Sequence, residues 1–62
     1  MASERVQRQI ERLLDEAEQA ISQRDWTTVQ ERAQDVVAID PDDREGQAFL
    51  AAADRALTVQ RS

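Results

Sequence analysis

The sequence predicts a small all-α protein of three helices, and three observations support this. Apolar residues recur every three or four positions in three segments, which is the spacing of one helix face. The breaks between these segments carry turn and capping residues, and the first and third segments match each other. We therefore expect helices at 4–23, 26–38 and 43–58 in a single domain over 1–62, with 59–62 as a fraying end or the start of a linker.

The amino-acid composition excludes several classes of function for this short chain. It has 62 residues, a net charge of −5, and neither Cys nor His. Disulfides are therefore excluded, and the usual thiolate and imidazole metal ligands and the neutral-pH base are missing. The negative net charge repels the phosphate backbones of nucleic acids and the surfaces of anionic membranes. We expect no catalytic residue, cofactor or metal, and no nucleic-acid, membrane or small-molecule partner.

The first helix has one apolar face and one charged face. Ser3 precedes it as a plausible N-cap, because its hydroxyl can accept a hydrogen bond from a first-turn amide. Leu13, Leu14 and Ala17 lie on the apolar face, and we assign them to the core. On the charged face, Arg and Glu alternate at helical spacing, which predicts intrahelical pairs worth about 0.2–0.5 kcal/mol each. The start of the chain lacks the basic and apolar regions of a secretory signal, so we expect a cytoplasmic protein.

The second helix begins after a break that contains neither Gly nor Pro. Arg24 is therefore expected to adopt the left-handed conformation, at a cost of about 1 kcal/mol. Asp25 is the natural N-cap, because it directly precedes the apolar positions. The helix contributes four residues to the predicted core: Trp26, Val29, Ala33 and Val36. We interpret the tryptophan as a core anchor and not as a ligand-stacking ring, because no polar groups gather around it.

The acidic turn around the single proline starts the third helix. Asp42, with Glu45 three residues later, forms an acidic version of a capping box, so we assign Asp42 as the N-cap. A calcium loop is the alternative for this cluster, and it needs oxygen ligands at alternate positions and a closing Glu at the twelfth. Counting from Asp40, the fifth position is Arg44 and the twelfth is Ala51, so the calcium pattern fails.

The third helix carries more apolar residues than one neighbouring helix covers. They form two adjacent stripes, whereas a surface helix normally shows one. The first stripe is Phe49, Ala52, Ala56 and Val59, and the second is Leu50, Ala53 and Leu57. A second copy of the chain would cover what the second helix leaves exposed. We therefore predict a homodimer whose interface is formed by Val6, Ile10, Phe49, Leu50, Ala53 and Leu57. The alternative is that a following domain of a longer protein covers these faces.

An internal repeat links the first and third helices. The segment from Leu13 to Ile21 matches the segment from Phe49 to Leu57 at an offset of 36 residues, with three of nine positions identical. Helical repeats with periods of about 20–50 residues are typical of stacked helix pairs.

The second helix and its ends carry a recognisable pattern: Asp25-Trp26, the small or apolar Val29, Ala33 and Val36, the ending Ala38-Ile39-Asp40-Pro41-Asp42-Asp43, and Leu50-Ala51 at the start of a next unit. In these residues the chain resembles the tetratricopeptide repeat family. Residues 10–57 would form about one and a half repeats. The resemblance implies an antiparallel helix pair plus one further helix, which makes contact with other proteins.

The predicted function is a protein–protein interaction or self-association module. We expect it to form the N-terminal part of a larger cytoplasmic bacterial signalling or regulatory protein. The alternative is an acidic adaptor that binds a basic protein target. Such an adaptor would have a continuous acidic surface. An enzyme is not expected, because carboxylates are the only general acids or bases present and none lies on an apolar face.

Overall fold

The computed structural model describes residues 3–61 and confirms an all-α fold. Its elements are α1 (Glu4–Ser22), α2 (Trp26–Ile39) and α3 (Arg44–Arg61). The predicted boundaries are correct to within one residue at five of the six helix ends. The exception is the end of α3, because the helix continues to residue 61, three residues beyond its predicted end. Residue 62 lies outside the described range.

α2 is the central helix of the fold. It packs along both α1 and α3, whereas α1 and α3 meet only over a small area. The molecule is correspondingly flat, with dimensions of 41 × 20 × 13 Å. The three helices therefore form an open arrangement in which α1 and α3 are edges, each with one side facing α2 and another facing solvent.

The turn between α1 and α2 depends on one left-handed residue. Arg24 has φ 58°, as predicted, and is the one non-glycine residue of the described chain with a positive φ. This conformation reverses the chain so that the Asp25 amide donates to the Ala20 carbonyl at 2.8 Å, while the Arg24 amide donates to the Ile21 carbonyl at 2.9 Å. The Ala20 and Ile21 carbonyls near the end of α1 are thereby satisfied without a glycine.

Replacing Arg24 with Gly should therefore raise the free energy of unfolding by about 0.5–1 kcal/mol, because glycine adopts this conformation without a Cβ penalty. Urea titration followed by circular dichroism measures the change. The control is Gln23→Gly, which replaces a residue with an ordinary negative φ of −94° and should destabilise. Equal destabilisation of the protein by Arg24→Gly and Gln23→Gly would show that the backbone at Arg24 is not strained.

The N-caps of α1 and α2 are the expected residues. Ser3 Oγ accepts from the Val6 amide at 3.3 Å. Asp25 accepts twice from Thr28, from its amide at 3.3 Å and from its hydroxyl at 2.7 Å. Each cap satisfies a first-turn amide that has no partner within its helix.

The predicted N-cap of α3 is wrong by one residue. Asp43, and not Asp42, caps the helix, with Oδ1 accepting from the Gly46 amide at 2.8 Å. The Asp42 amide instead donates to Asp40 Oδ1 at 3.2 Å, a local turn that extends the loop by one residue. The capping box is also absent, because the third helical position counted from Asp43 is Gly46, which has no side chain to return the bond.

Asp43→Ala should lower the free energy of unfolding by about 0.5–2 kcal/mol through loss of this cap. Asp42→Ala is the matched control, since it removes the same charge from an exposed neighbour that caps nothing, and it should change stability by less than about 0.5 kcal/mol. Denaturant titrations of both variants decide between the two assignments. A larger loss of stability in Asp42→Ala than in Asp43→Ala would show that Asp42 is the N-cap.

Gly46 allows α3 to approach α2 closely. The residue is buried, and a Cβ built on it would lie 2.6 Å from Val36 Cγ1 and 3.2 Å from Val36 Cβ. Such contacts are too short for carbon atoms, so any side chain here separates the two helices or displaces Val36. Because Val36 is β-branched and fully buried, it has little freedom to move away.

Gly46→Ala should consequently destabilise the protein by about 1–3 kcal/mol, although alanine in an unhindered helix position would stabilise by about 1 kcal/mol. Adding Val36→Ala to Gly46→Ala removes the colliding methyl group. The double variant should lose less stability than the sum of the two single losses, as thermal unfolding of the four proteins would show. Strict additivity would mean that the two positions do not touch.

Candidate interaction surfaces

The core of the single chain is thin. Its fully buried hydrophobic residues are Ile10, Ala17, Ala20, Val29, Ala33, Val36 and Ala53. Only Ile10, Val29 and Val36 among them are larger than alanine. Apart from the exposed Val59, the other large apolar side chains of the described residues are half-buried: Val6, Leu13, Leu14, Ile21, Trp26, Val37, Ile39, Phe49, Leu50 and Leu57. Most of the large apolar side chains therefore keep part of their surface in water.

The three helices meet around one alanine-rich cluster. Ala20 of α1, Val29 of α2 and Ala53 of α3 are in contact, and Ile21, Trp26 and Phe49 pack against them from the sides. The structure thus places Trp26 beside the junction of all three helices, as expected for a core anchor. Small residues at the centre let the helices come close, and the aromatic rings close the edges of the cluster.

The predicted core residues divide into two groups. Ala17, Val29, Ala33 and Val36 are fully buried. Leu13, Leu14 and Trp26 are only half-buried, because each lies towards the edge of its apolar face and no second layer of helices covers it.

Two of the six residues assigned to a dimer interface are not available to a second copy. Ile10 is 1% exposed and Ala53 is 0% exposed in the single chain. The assignment assumed that Ile10 lay beyond the reach of the other helices and that Ala53 belonged to an uncovered stripe, and both assumptions are wrong. The other four, Val6, Phe49, Leu50 and Leu57, keep part of their side chains accessible.

The apolar residues of α3 do not divide into the two stripes predicted from the sequence. One stripe turns inward and contains Phe49, Leu50, Ala53, Ala56 and Leu57, all buried or half-buried. Ala52 and Val59 lie outside it, and Val59 is 73% exposed, the one large hydrophobic residue of the described chain that is fully open to solvent. The sequence showed the apolar content but not which residues α2 would cover.

One ion pair joins α1 to α2. Arg32 Nε lies 2.8 Å from Glu16 Oε2, and Arg32 Nη1 lies 3.6 Å from Asp35 Oδ2. Because these side chains are 36–56% exposed, the pairs contribute about 0–1 kcal/mol. Glu16 therefore pairs with the neighbouring helix, whereas the alternating charges of α1 predict pairs within that helix.

Three arginines on α1, which we call the arginine stripe, form a separate charged surface. Arg5, Arg8 and Arg12 are all exposed. Together with Gln9 and the half-buried Leu13 they line a surface hollow of about 430 Å³. All five residues belong to one helix, so side chains alone shape the hollow and no second element closes it. The sequence pattern did not indicate this surface, because glutamates lie at helical spacing from these arginines and suggest pairing within the helix.

The acidic turn is held by its own hydrogen bonds. Besides the two aspartate bonds described above, the Gln47 side-chain amide donates to the Pro41 carbonyl. Among residues 3–61, no three Asp or Glu side chains come together in a way that could hold a metal ion. None of the helices over the same range is both long enough and apolar enough to cross a membrane.

Comparison of the chain with protein-family models, with curated proteins and with solved structures finds no match.

Proposed function

We propose that the chain is a protein–protein interaction or self-association module and that it forms a homodimer. The observation that carries this proposal is the thin core, with three fully buried side chains larger than alanine. A domain of about 60 residues is already marginal in stability, and small scaffolds usually require a disulfide, a metal or a partner. The chain has no Cys and no His, which leaves a partner as the available source of stability.

Equivalent burial of α1 and α3 supports an arrangement like that of tetratricopeptide repeats. Ala17 and Ala53, which correspond at the offset of 36 residues, are both fully buried. The flanking pairs Leu13 and Phe49, Leu14 and Leu50, and Ile21 and Leu57 are half-buried in both helices. α3 therefore repeats the environment of α1, with α2 packed between them. Repeat units of this kind bury their apolar faces by stacking on neighbours.

The proposed interface consists of four of the half-buried apolar residues on the two edge helices. They are Val6 on α1 and Phe49, Leu50 and Leu57 on α3. A two-fold contact would place the same set on both copies and remove the remaining apolar surface of these side chains from water. Each such side chain gains up to about 1.5–3 kcal/mol when burial becomes complete. In this proposal the module serves assembly of a larger cytoplasmic bacterial signalling or regulatory protein.

Light scattering of the isolated 62-residue chain tests the dimer. We expect twice the 7.1 kDa chain mass at tens of micromolar and above. Leu50→Asp should dissociate the dimer and unfold it, because folding and association are coupled. Ala51→Asp is the matched control, since it adds the same charge at an exposed neighbouring position and should leave both mass and helicity intact. A well-folded 7.1 kDa wild-type species at these concentrations would contradict the proposal.

The alternative, an acidic adaptor for a basic target, is less well supported. Such a function needs a continuous acidic surface, because opposite charges steer a basic target to its site and like charges repel it. The arginine stripe interrupts the acidic surface along the first half of α1. A basic target would therefore meet repulsion over this part of the molecule.

A further inference from the structure

We propose that the solvent side of α3 packs antiparallel against the same side of α3 in a second copy of the chain. Five exposed residues, which we call the alanine face, form this side at alternating spacings of three and four residues: Glu45, Ala48, Ala52, Arg55 and Val59. Such spacing places the side chains in one line along the helix, and it is the pattern of a helix that packs against another helix. Val59, which is 73% exposed, gives this otherwise small surface a large apolar side chain.

The alanine face is separate from the leucines of the dimer proposed above. Leu57 follows Ala48 by nine residues, and Val59 follows Leu50 by nine residues. Nine residues make about two and a half helical turns, so the leucines and the alanine face lie on opposite sides of α3. The contact proposed here is therefore additional to that dimer and joins one dimer to another.

The internal repeat shows that the fold does not require uncharged residues on this side of α3. At the offset of 36 residues, four exposed and charged positions of α1 correspond to four exposed and uncharged positions of α3. Glu and Arg form helices nearly as well as Ala does, so helix propensity does not explain the difference. A second helix can therefore approach α3 closely, which the charged side of α1 does not allow. The corresponding positions are Glu11, Arg12, Asp15 and Glu16 on α1 and Gln47, Ala48, Ala51 and Ala52 on α3.

The two charged residues of the alanine face favour a second copy in the antiparallel orientation. Glu45 lies five residues before the midpoint between Ala48 and Ala52, and Arg55 lies five residues after it. A two-fold axis through this midpoint places each glutamate opposite the arginine of the other copy, and each Ala48 opposite an Ala52. The ion pairs of the described chain both involve Arg32, so Glu45 and Arg55 have no competing ionic partner there. Parallel packing would place like charges opposite each other, which is unfavourable.

The size of the alanine face predicts a close but weak contact. From Glu45 to Arg55 the face is about 15 Å long, and small side chains permit two helix axes to approach to about 8 Å. The exposed Ala51 and the half-buried Phe49 flank the two alanines, and each would meet its own counterpart near the two-fold axis. Contacts of this size associate transiently. The contact is therefore expected to act where several copies are held together in a larger assembly.

Disulfide trapping tests the contact, because the chain has no cysteine of its own. Ala48→Cys and Ala52→Cys are prepared as separate full-length chains, one of them isotope-labelled, and are mixed in equal amounts under mild oxidation. Because a disulfide needs Cα atoms within about 7 Å, the two variants should link to each other about tenfold faster than either links to itself. Mass spectrometry of the linked chains measures the three rates. The matched control is Asp54→Cys, which is exposed on α3 outside the alanine face and should link to neither variant at the fast rate.

Charge exchange tests whether the two ion pairs set the orientation. Introduced into both cysteine variants, Glu45→Arg or Arg55→Glu alone should slow the mixed cross-link about fivefold, because each places like charges opposite each other. Glu45→Arg together with Arg55→Glu restores opposite charges at both ends and should return the rate to within about twofold of its original value. Circular dichroism and light scattering of every variant record its folding and its mass.

Three results would overturn the proposal. They are cross-linking of each cysteine variant to itself as fast as to the other, equally fast cross-linking of Asp54→Cys, and a double charge variant that links no faster than the single ones. The outcome for this contact is separate from the outcome for the dimer. A slow mixed cross-link in a chain of twice the 7.1 kDa mass would contradict this contact alone, whereas a fast one in a chain with no other association would contradict the dimer alone.

Discussion

Close packing through small residues determines the rest of this structure. Four of the seven fully buried hydrophobic residues are alanines, and Gly46 lets α3 come so close to α2 that a methyl group would collide with Val36. Small contacts of this kind permit three short helices to pack without a large core. They also remove little apolar area from water, and hydrophobic stabilisation scales with that area. The same feature that allows the fold therefore limits its stability.

The central position of α2 follows from this packing. α2 carries fully buried residues at Val29, Ala33 and Val36 and is covered from two sides. α1 and α3 are each covered from one side, so their larger apolar residues remain half-buried at the edges of the layer. A partner that adds a further helix layer would complete these edges, which is why self-association fits the architecture.

Local sequence signals were sufficient for the helices but not for every turn. The periodic apolar residues, the left-handed Arg24 and the caps Ser3 and Asp25 depend on chemistry within a few residues, and each could be predicted. The N-cap of α3 could not, because Asp42 and Asp43 are equally good caps and the choice depends on the Asp40 side chain taking the Asp42 amide.

The surfaces were harder to predict because they depend on where the neighbouring helices lie. The burial of Ile10 and Ala53 and the exposure of Val59 depend on the angles at which α1 and α3 pack against α2. The sequence pattern does not specify these angles. The arginine stripe was misread for a different reason. Its spacing allows pairing within the helix, but Glu16, the candidate partner of Arg12, pairs with Arg32 of α2 instead.

The central claim is that the folded state of this chain requires a partner, which is a second copy when the chain is alone. Thermal unfolding followed by circular dichroism over a hundredfold range of protein concentration tests it most directly. Because association stabilises the folded state by mass action, the account predicts that Tm rises steadily with concentration and that helicity is lost at the dilute end. A Tm that stays constant over the whole range, with full helicity at the lowest concentration, would contradict it.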